Sequence, residues 1–219
     1  MKFLFSSIGK KIQVAVTGIL LSFFLLFHLI NNLVLFTGAD NFNQMVLFLE
    51  GIKPLIRIME FGLLVVILTH VINAIYLTIS NRKAATTRYS VDASATSSLN
   101  SRTMIISGST ILIFFIIHLK YIWFTYQAHL FNAGETYYDV LLRNELGYLG
   151  HTPTAAFYII AILFIASHLK HGIESSLKTF GLTNNSKWSI LYLSSVLFWG
   201  VIPLGFIVVV LSIQLGIIS

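Results

Sequence analysis

The sequence predicts an all-α integral membrane protein, a single membrane domain over residues 1–219 with five transmembrane helices. Three observations lead there. Of the 219 residues, 56% are hydrophobic and only 10% charged, where a soluble domain carries roughly 25% charge. Five apolar stretches each reach about 20 residues, the length needed to cross a bilayer at about 1.5 Å rise per residue. Lys and Arg cluster between those stretches, so the formal net charge of +6 reads as membrane topology and not as a nucleic-acid surface. The absence of cysteine excludes a disulfide scaffold, a Cys-ligated iron–sulfur cluster, a thiol nucleophile and covalent haem attachment.

The five stretches run approximately over 12–36, 55–79, 104–126, 154–177 and 188–216. Lys2, Lys10 and Lys11 precede the first, which is too long for a signal-peptide core and has no clear cleavage site, so it is read as a retained span. Residues 41–51 are expected to form a short interfacial helix. Pro54 and Pro153 stand at or near the starts of the second and fourth spans, where a missing N–H does little harm. Pro203 lies inside the fifth, where it is expected to kink the helix. Residues 80–103 form a Ser/Thr/Ala-rich loop and 127–153 the largest loop on the other side.

Orientation follows from charge. With the N-terminus cytoplasmic, Lys2, Lys10, Lys11, Arg82, Lys83, Arg88, Arg102, Lys170, Lys178 and Lys187 fall on the inner side, and Lys53, Arg57, Lys120 and Arg143 on the outer. That bias fits the positive-inside rule for a multi-pass protein of the cytoplasmic membrane.

Four spans each carry a histidine at depth: His28, His70, His118 and His168. Ionisable residues in the hydrocarbon layer are costly and mark functional sites. A single such residue is often helix-to-helix glue; one on each of four successive spans is not easily explained so. Counting to the nearer span end places His28 and His118 about 12 Å from the outer surface, and His70 and His168 about 15 Å from the inner one. Two layers of two imidazoles result, each able to grip one metal centre from opposite sides, as axial ligation of haem iron requires.

Local sequence pairs them the same way. Gly18-x9-His28-Leu29 matches Gly108-x9-His118-Leu119, and Thr69-His70-Val71-x2-Ala74-Ile75 matches Ser167-His168-Leu169-x2-Gly172-Ile173. Gly18 and Gly108 sit about 15 Å along their helices from the following histidine, at the depth of the other haem, and could give it clearance; ordinary helix packing explains single glycines equally well. Zinc or copper would call for Cys, a carboxylate or a third histidine at one depth. A proton pump is not indicated, because no Asp or Glu occupies the middle of a span.

His171 is three residues from His168, on nearly the same face, and is the alternative ligand. His168 is preferred because its context mirrors that of His70, which leaves His171 for a haem propionate or a quinone. Lys120 either snorkels to the interface or pairs with an outer-haem propionate. His129 and His151 are read as ordinary loop residues.

At these residues the chain resembles the membrane-anchor cytochrome b of succinate dehydrogenase and fumarate reductase, in the single-subunit, five-helix, di-haem (b558-type) class of succinate:quinone oxidoreductases. The matching segments are Phe27-His28-Leu29-x-Asn31, Gly38-Ala39-Asp40-x-Phe42-Asn43, His70-x5-Tyr76, His118 and His168-x3-Gly172-x8-Gly181. They span four of the five spans; the fifth matches in topology alone. The resemblance implies that the first four helices form a haem-binding bundle holding two haem b. His28 and His118 would ligate the outer haem iron, His70 and His168 the inner. It further implies two partner subunits, a flavoprotein with covalent FAD and an iron–sulfur protein, and a quinone substrate, commonly menaquinone. The chain itself would have no dicarboxylate chemistry. It departs from the pattern at the extra His171, and among outer-half polar residues only Gln44, Glu50 and Glu60 are candidates for a quinone contact. Two rival expectations are a di-haem b subunit of another respiratory enzyme, such as a formate dehydrogenase or hydrogenase, and a haem- or metal-transporting permease.

Overall fold

The computed structural model describes residues 3–86, 99–182 and 190–219, with the side chains of 82–86 and 99–103 outside that description. Among the described residues there is no strand. In order, the chain forms α1 (Ser7–Leu33) and a 3-10 turn (Val34–Thr37), then α2 (Ala39–Gly51) and α3 (Lys53–Thr86). It continues through α4 (Leu99–His118), a π turn (Leu119–Trp123), α5 (Phe124–Gln127), α6 (Tyr137–Leu142) and α7 (Thr152–Thr179). It closes with α8 (Ile190–Val196), a second π turn (Leu197–Val201) and α9 (Ile202–Gln214).

Five helical stretches are long and apolar enough to cross a membrane: Ser7–Thr37, Lys53–Asn81, Met104–Gln127, Thr152–Thr179 and Ile190–Gln214. The chain is thus an all-α, multi-pass membrane protein. The first begins earlier than its apolar run because the Ser6 hydroxyl accepts the Gly9 N–H at 3.0 Å, capping the helix ahead of Lys10 and Lys11. Pro203 opens α9 directly after a π turn. Proline has no N–H for the carbonyl one turn back, and the widened turn takes up that irregularity. The short helix expected over 41–51 is present as α2, beginning two residues earlier. Several residues behind the orientation argument lie outside the description: Lys2, Arg88 and Lys187 entirely, and the side chains of Arg82, Lys83 and Arg102. The start expected for the fifth span at 188 also falls there, and the 80–103 loop is described only in its helical flanks.

Helix α1 packs along α3, α7 and α9, while α4 packs along α7. Among the described residues, neither α1 with α4 nor α3 with α7 forms a comparable seam. Three seams, α3 with α1, α1 with α7 and α7 with α4, therefore order the four helices, and among the described residues α3 and α4 form no comparable seam. Small residues make the seams: Ala15, Ser22 and Ala161 are buried. Large apolar side chains such as Ile58, Phe61 and Ile72 point outward, a surface that only lipid or another apolar partner can cover.

The apolar core lies at one end, where the 127–151 segment and α2 close over the ends of α7 and α9. Leu35, Phe42, Tyr137, Tyr138, Val140, Leu141, Tyr148 and Leu149 are buried together there. This segment, read from sequence as a loop, is a folded cap. Asp139 Oδ2 accepts from the N–H and hydroxyl of Thr136, both at 2.7 Å, starting α6. Arg143 ties the cap together: its guanidinium pairs with Glu135 and donates to the Tyr148 hydroxyl at 3.0 Å and the Leu130 carbonyl at 2.8 Å.

The pair sets a pH dependence. Hydrogen bonding to Arg143, reinforced by donors from Asn132, lowers Glu135 from 4.5 to about 2. A folded-state pKa below the unfolded one adds stability above the unfolded value, and that stability is lost as pH falls through the folded one. The wild-type protein should therefore melt higher than Glu135→Gln at pH 7, with the gap closing between about pH 4.5 and 2. Thermal melts in detergent across that range check this; a gap that persists at pH 2 would refute it.

Candidate functional site

This order of helices brings the four span histidines together in two pairs. His28 on α1 faces His118, the last residue of α4, with ring centroids 5.8 Å apart. His70 on α3 faces His168 on α7 at 6.4 Å. The helices bearing each pair do not pack along one another, so these rings meet across the bundle interior. Along α1, Gly18 lies beside His70 and His28 follows ten residues later, which separates the two layers by about 15 Å.

Each pair has its own surroundings. The His28 ring stacks on Phe24, with centroids 5.5 Å apart, and touches Phe206. His118 stacks on Phe114, and its Nδ1 lies 3.3 Å from the Tyr158 hydroxyl. Directly after His118 comes the π turn, a form often found at functional positions in helices. In the other layer, His70 Nδ1 lies 3.0 Å from the Thr17 hydroxyl and His168 Nδ1 lies 3.2 Å from the Ser107 hydroxyl. A Cβ added at Gly18 would stand 3.3 Å from His70 Cε1, and one at Gly108 would stand 3.6 Å from His168 Cε1. The two glycines clear space for imidazoles, at the depth expected of them.

The geometry bears on what each pair could hold. Each pair offers two imidazoles, which when neutral can serve as metal ligands. The paired rings lie edge to face, at interplanar angles of 82° and 63°. Among the described residues no group of three or more His, Cys, Asp or Glu could hold a bare ion. A metal here would need its remaining donors from its own ligand, and a porphyrin brings four. The residues present fit two haems, each between a pair of histidines.

The other sequence candidates are placed elsewhere. Among the described residues His171 makes no ring contact with these four; it lies near enough to His168 to interact with it electrostatically, as it does with Glu174 and Lys178 on the same helix. Lys120 is exposed, its Nζ 4.9 Å from the Tyr121 ring centre, and lines a cavity of about 310 Å³ together with Tyr121, Gly147, Thr154 and Phe157. Glu50 pairs with Lys53 at 2.6 Å. Glu60 accepts from Arg57 at 2.7 Å and from the Trp123 indole at 2.8 Å, so its carboxylate is engaged in bridging α3 to the π turn. His129 rests against Phe131 and Tyr137, and His151 Nδ1 lies 3.0 Å from the Thr154 hydroxyl at the start of α7.

Sequence reasoning missed Thr17, Ser107 and Tyr158. For the first two a signal existed: each precedes one of the paired glycines, giving Thr17-Gly18 and Ser107-Gly108, eleven residues ahead of His28 and His118. Tyr158 carried none, because its approach to His118 depends on how α7 meets α4. In comparisons with protein-family models, curated proteins and solved structures, nothing matches this chain.

Proposed function

We propose that this chain is the di-haem cytochrome b that anchors a succinate dehydrogenase or fumarate reductase in the membrane. In that role it carries electrons between an iron–sulfur subunit and a quinone, menaquinone being the usual one in this class. The observation that supports the reading is the meeting of His28 with His118 and of His70 with His168, two imidazoles per layer that would hold one haem each. A bound haem supplies one-electron exchange between ferrous and ferric iron. The protein's part is to present two nitrogens to each iron, orient the rings and exclude water. Phe24, Phe114 and Phe206 shield the His28/His118 layer, and hydroxyls hold the rings of the other. On this reading the His70/His168 layer is the inner one, nearer the flavoprotein and iron–sulfur partners, and the N-terminus is cytoplasmic. Lys120 and His171 are offered as propionate or quinone contacts.

The test is to purify the full chain from cells supplied with haem precursor, then record the dithionite-reduced spectrum and the haem-to-protein ratio. Two b-type haems per chain, with low-spin signals of bis-histidine ligation, are expected. Co-purification of a covalent-flavin subunit separates this role from that of a formate dehydrogenase or hydrogenase subunit. A folded chain that stays colourless in the presence of haem would end the reading.

A further inference from the structure

We propose that Thr17 and Ser107 are positioning residues that lock the His70 and His168 imidazoles with Nε2 free to bind iron, and thereby tune that layer alone. The proposal rests on the di-haem reading above and goes beyond it, since it assigns work to two residues that bind no metal.

The lock follows from counting protons. Thr17 Oγ1 lies 2.6 Å from the Gln13 carbonyl, 3.2 Å from that of Val14 and 3.0 Å from His70 Nδ1. A hydroxyl has one proton and two lone pairs. Carbonyls can only accept, so the proton goes back along α1, and toward His70 the oxygen is an acceptor. With Thr17 accepting, His70 Nδ1 carries the N–H and the lone pair is left on Nε2; the same imidazole also has a hydrogen bond to the Val14 backbone, so Thr17 shares the task of orienting it. Ser107 repeats the arrangement, with its Oγ 3.1 Å from the Met104 carbonyl and 3.2 Å from His168 Nδ1.

Each hydroxyl works with the glycine after it. Gly18 and Gly108 present bare backbone to the imidazole edge, where a Cβ would stand 3.3 and 3.6 Å from Cε1. Hydroxyl and glycine together make one seat per ring, and both seats are buried, Thr17 being 7% and Ser107 2% exposed. The seats lie on α1 and α4, the helices that carry His28 and His118. Each of these helices thus supplies a ring to one layer and a seat to the other.

The His28/His118 layer has a different environment: a phenol at His118 Nδ1 and phenylalanine rings around His28. Donation from Nδ1–H to an oxygen makes the opposite nitrogen more basic, and such partners are worth about 10- to 100-fold in metal affinity. A more basic ligand favours ferric over ferrous iron. One layer has an aliphatic hydroxyl at each ring and the other a single phenol at His118, so changes at Thr17 or Ser107 should act on the first layer alone.

Thr17→Val removes the hydroxyl at nearly constant shape, Thr17→Ser retains it, and Ser107→Ala tests the second seat. The readout is a redox titration of the purified full chain with electron paramagnetic resonance. The His70/His168 signals are identified as those that remain in His28→Ala. In Thr17→Val and in Ser107→Ala the ferric/ferrous balance of that layer should move about tenfold toward ferrous, ~59 mV upward for one electron. Its haem should dissociate about tenfold faster, while the other layer stays unchanged. Thr17→Ser should behave as wild type; selective haem loss in Thr17→Val, restored in Thr17→Ser, supports the proposal equally. Two wild-type haems whose potentials stay fixed in Thr17→Val, or shift together, would overturn the proposal alone. So would Thr17→Ser behaving like Thr17→Val. A wild-type chain that takes up no haem would overturn the di-haem reading, and this inference with it.

Discussion

Alanine at His70 or His168 is expected to leave a protein with one haem instead of two, the survivor keeping a bis-histidine signature. Alanine at His28 or His118 should remove the other. The pairing makes these effects separable: the two rings of a layer lie 5.8 or 6.4 Å apart, while the layers are about 15 Å apart along α1. On the di-haem reading, losing one imidazole would remove one of the two protein ligands of that layer's iron, and it would open a void that neighbouring side chains fill incompletely. His171→Ala should leave both haems, because among the described residues His171 makes no ring contact with those four. Haem content and the low-spin signals of the purified variants decide the matter. If His171→Ala empties the layer and His168→Ala keeps it, the ligand has been misassigned.

A large effect on stability is expected at Gly147, in the cap. Its φ is +102°, a region costly for residues with a Cβ, and a Cβ there would be built into the ring of Tyr121. The backbone cannot retreat easily, since its buried N–H donates to the Thr154 hydroxyl at 3.0 Å. The left-handed conformation costs about 1–2 kcal/mol and overpacking about 1–3 kcal/mol more, so Gly147→Val should lose about 3 kcal/mol. Gly134→Ala is the control: its φ is +81° but nothing lies within 4 Å of the added Cβ, so only the backbone cost remains. Thermal melts in detergent should rank wild type, Gly134→Ala and Gly147→Val in descending order. Equal melting of the two variants would show that Tyr121 yields and that the packing argument is wrong.

Tyr121 belongs to the π turn that begins immediately after His118. The same irregularity that ends α4 at a histidine thus carries the contact that holds the cap down. The cap is where sequence reasoning was least informative. Residues 127–153 contain His129, Glu135, Asp139, Arg143, Glu145 and His151, a density of polar groups that reads as a solvated loop. In the structure Arg143 and Glu135 neutralise one another, Asp139 is used up in starting α6, and Tyr137, Tyr138, Tyr148 and Leu149 form a core. Polar groups that satisfy each other leave no trace of burial in composition, because burial depends on partners distant in sequence.

The spans were legible for the opposite reason. Each helix satisfies its own backbone hydrogen bonds, and in lipid nothing else can, so length and apolarity alone marked the five stretches. Histidine depth was legible as well, since rise per residue converts sequence position to height directly. Height, however, says nothing of azimuth. The pairing of His28 with His118 and of His70 with His168 was readable from height and local sequence; that Gly18 and Gly108 meet imidazole edges and that Thr17 and Ser107 reach Nδ1 were decided only by tertiary structure. Each of these contacts depends on how helices turn about their own axes, and that rotation is set by interlocking side chains from several segments at once, which no single stretch of sequence contains.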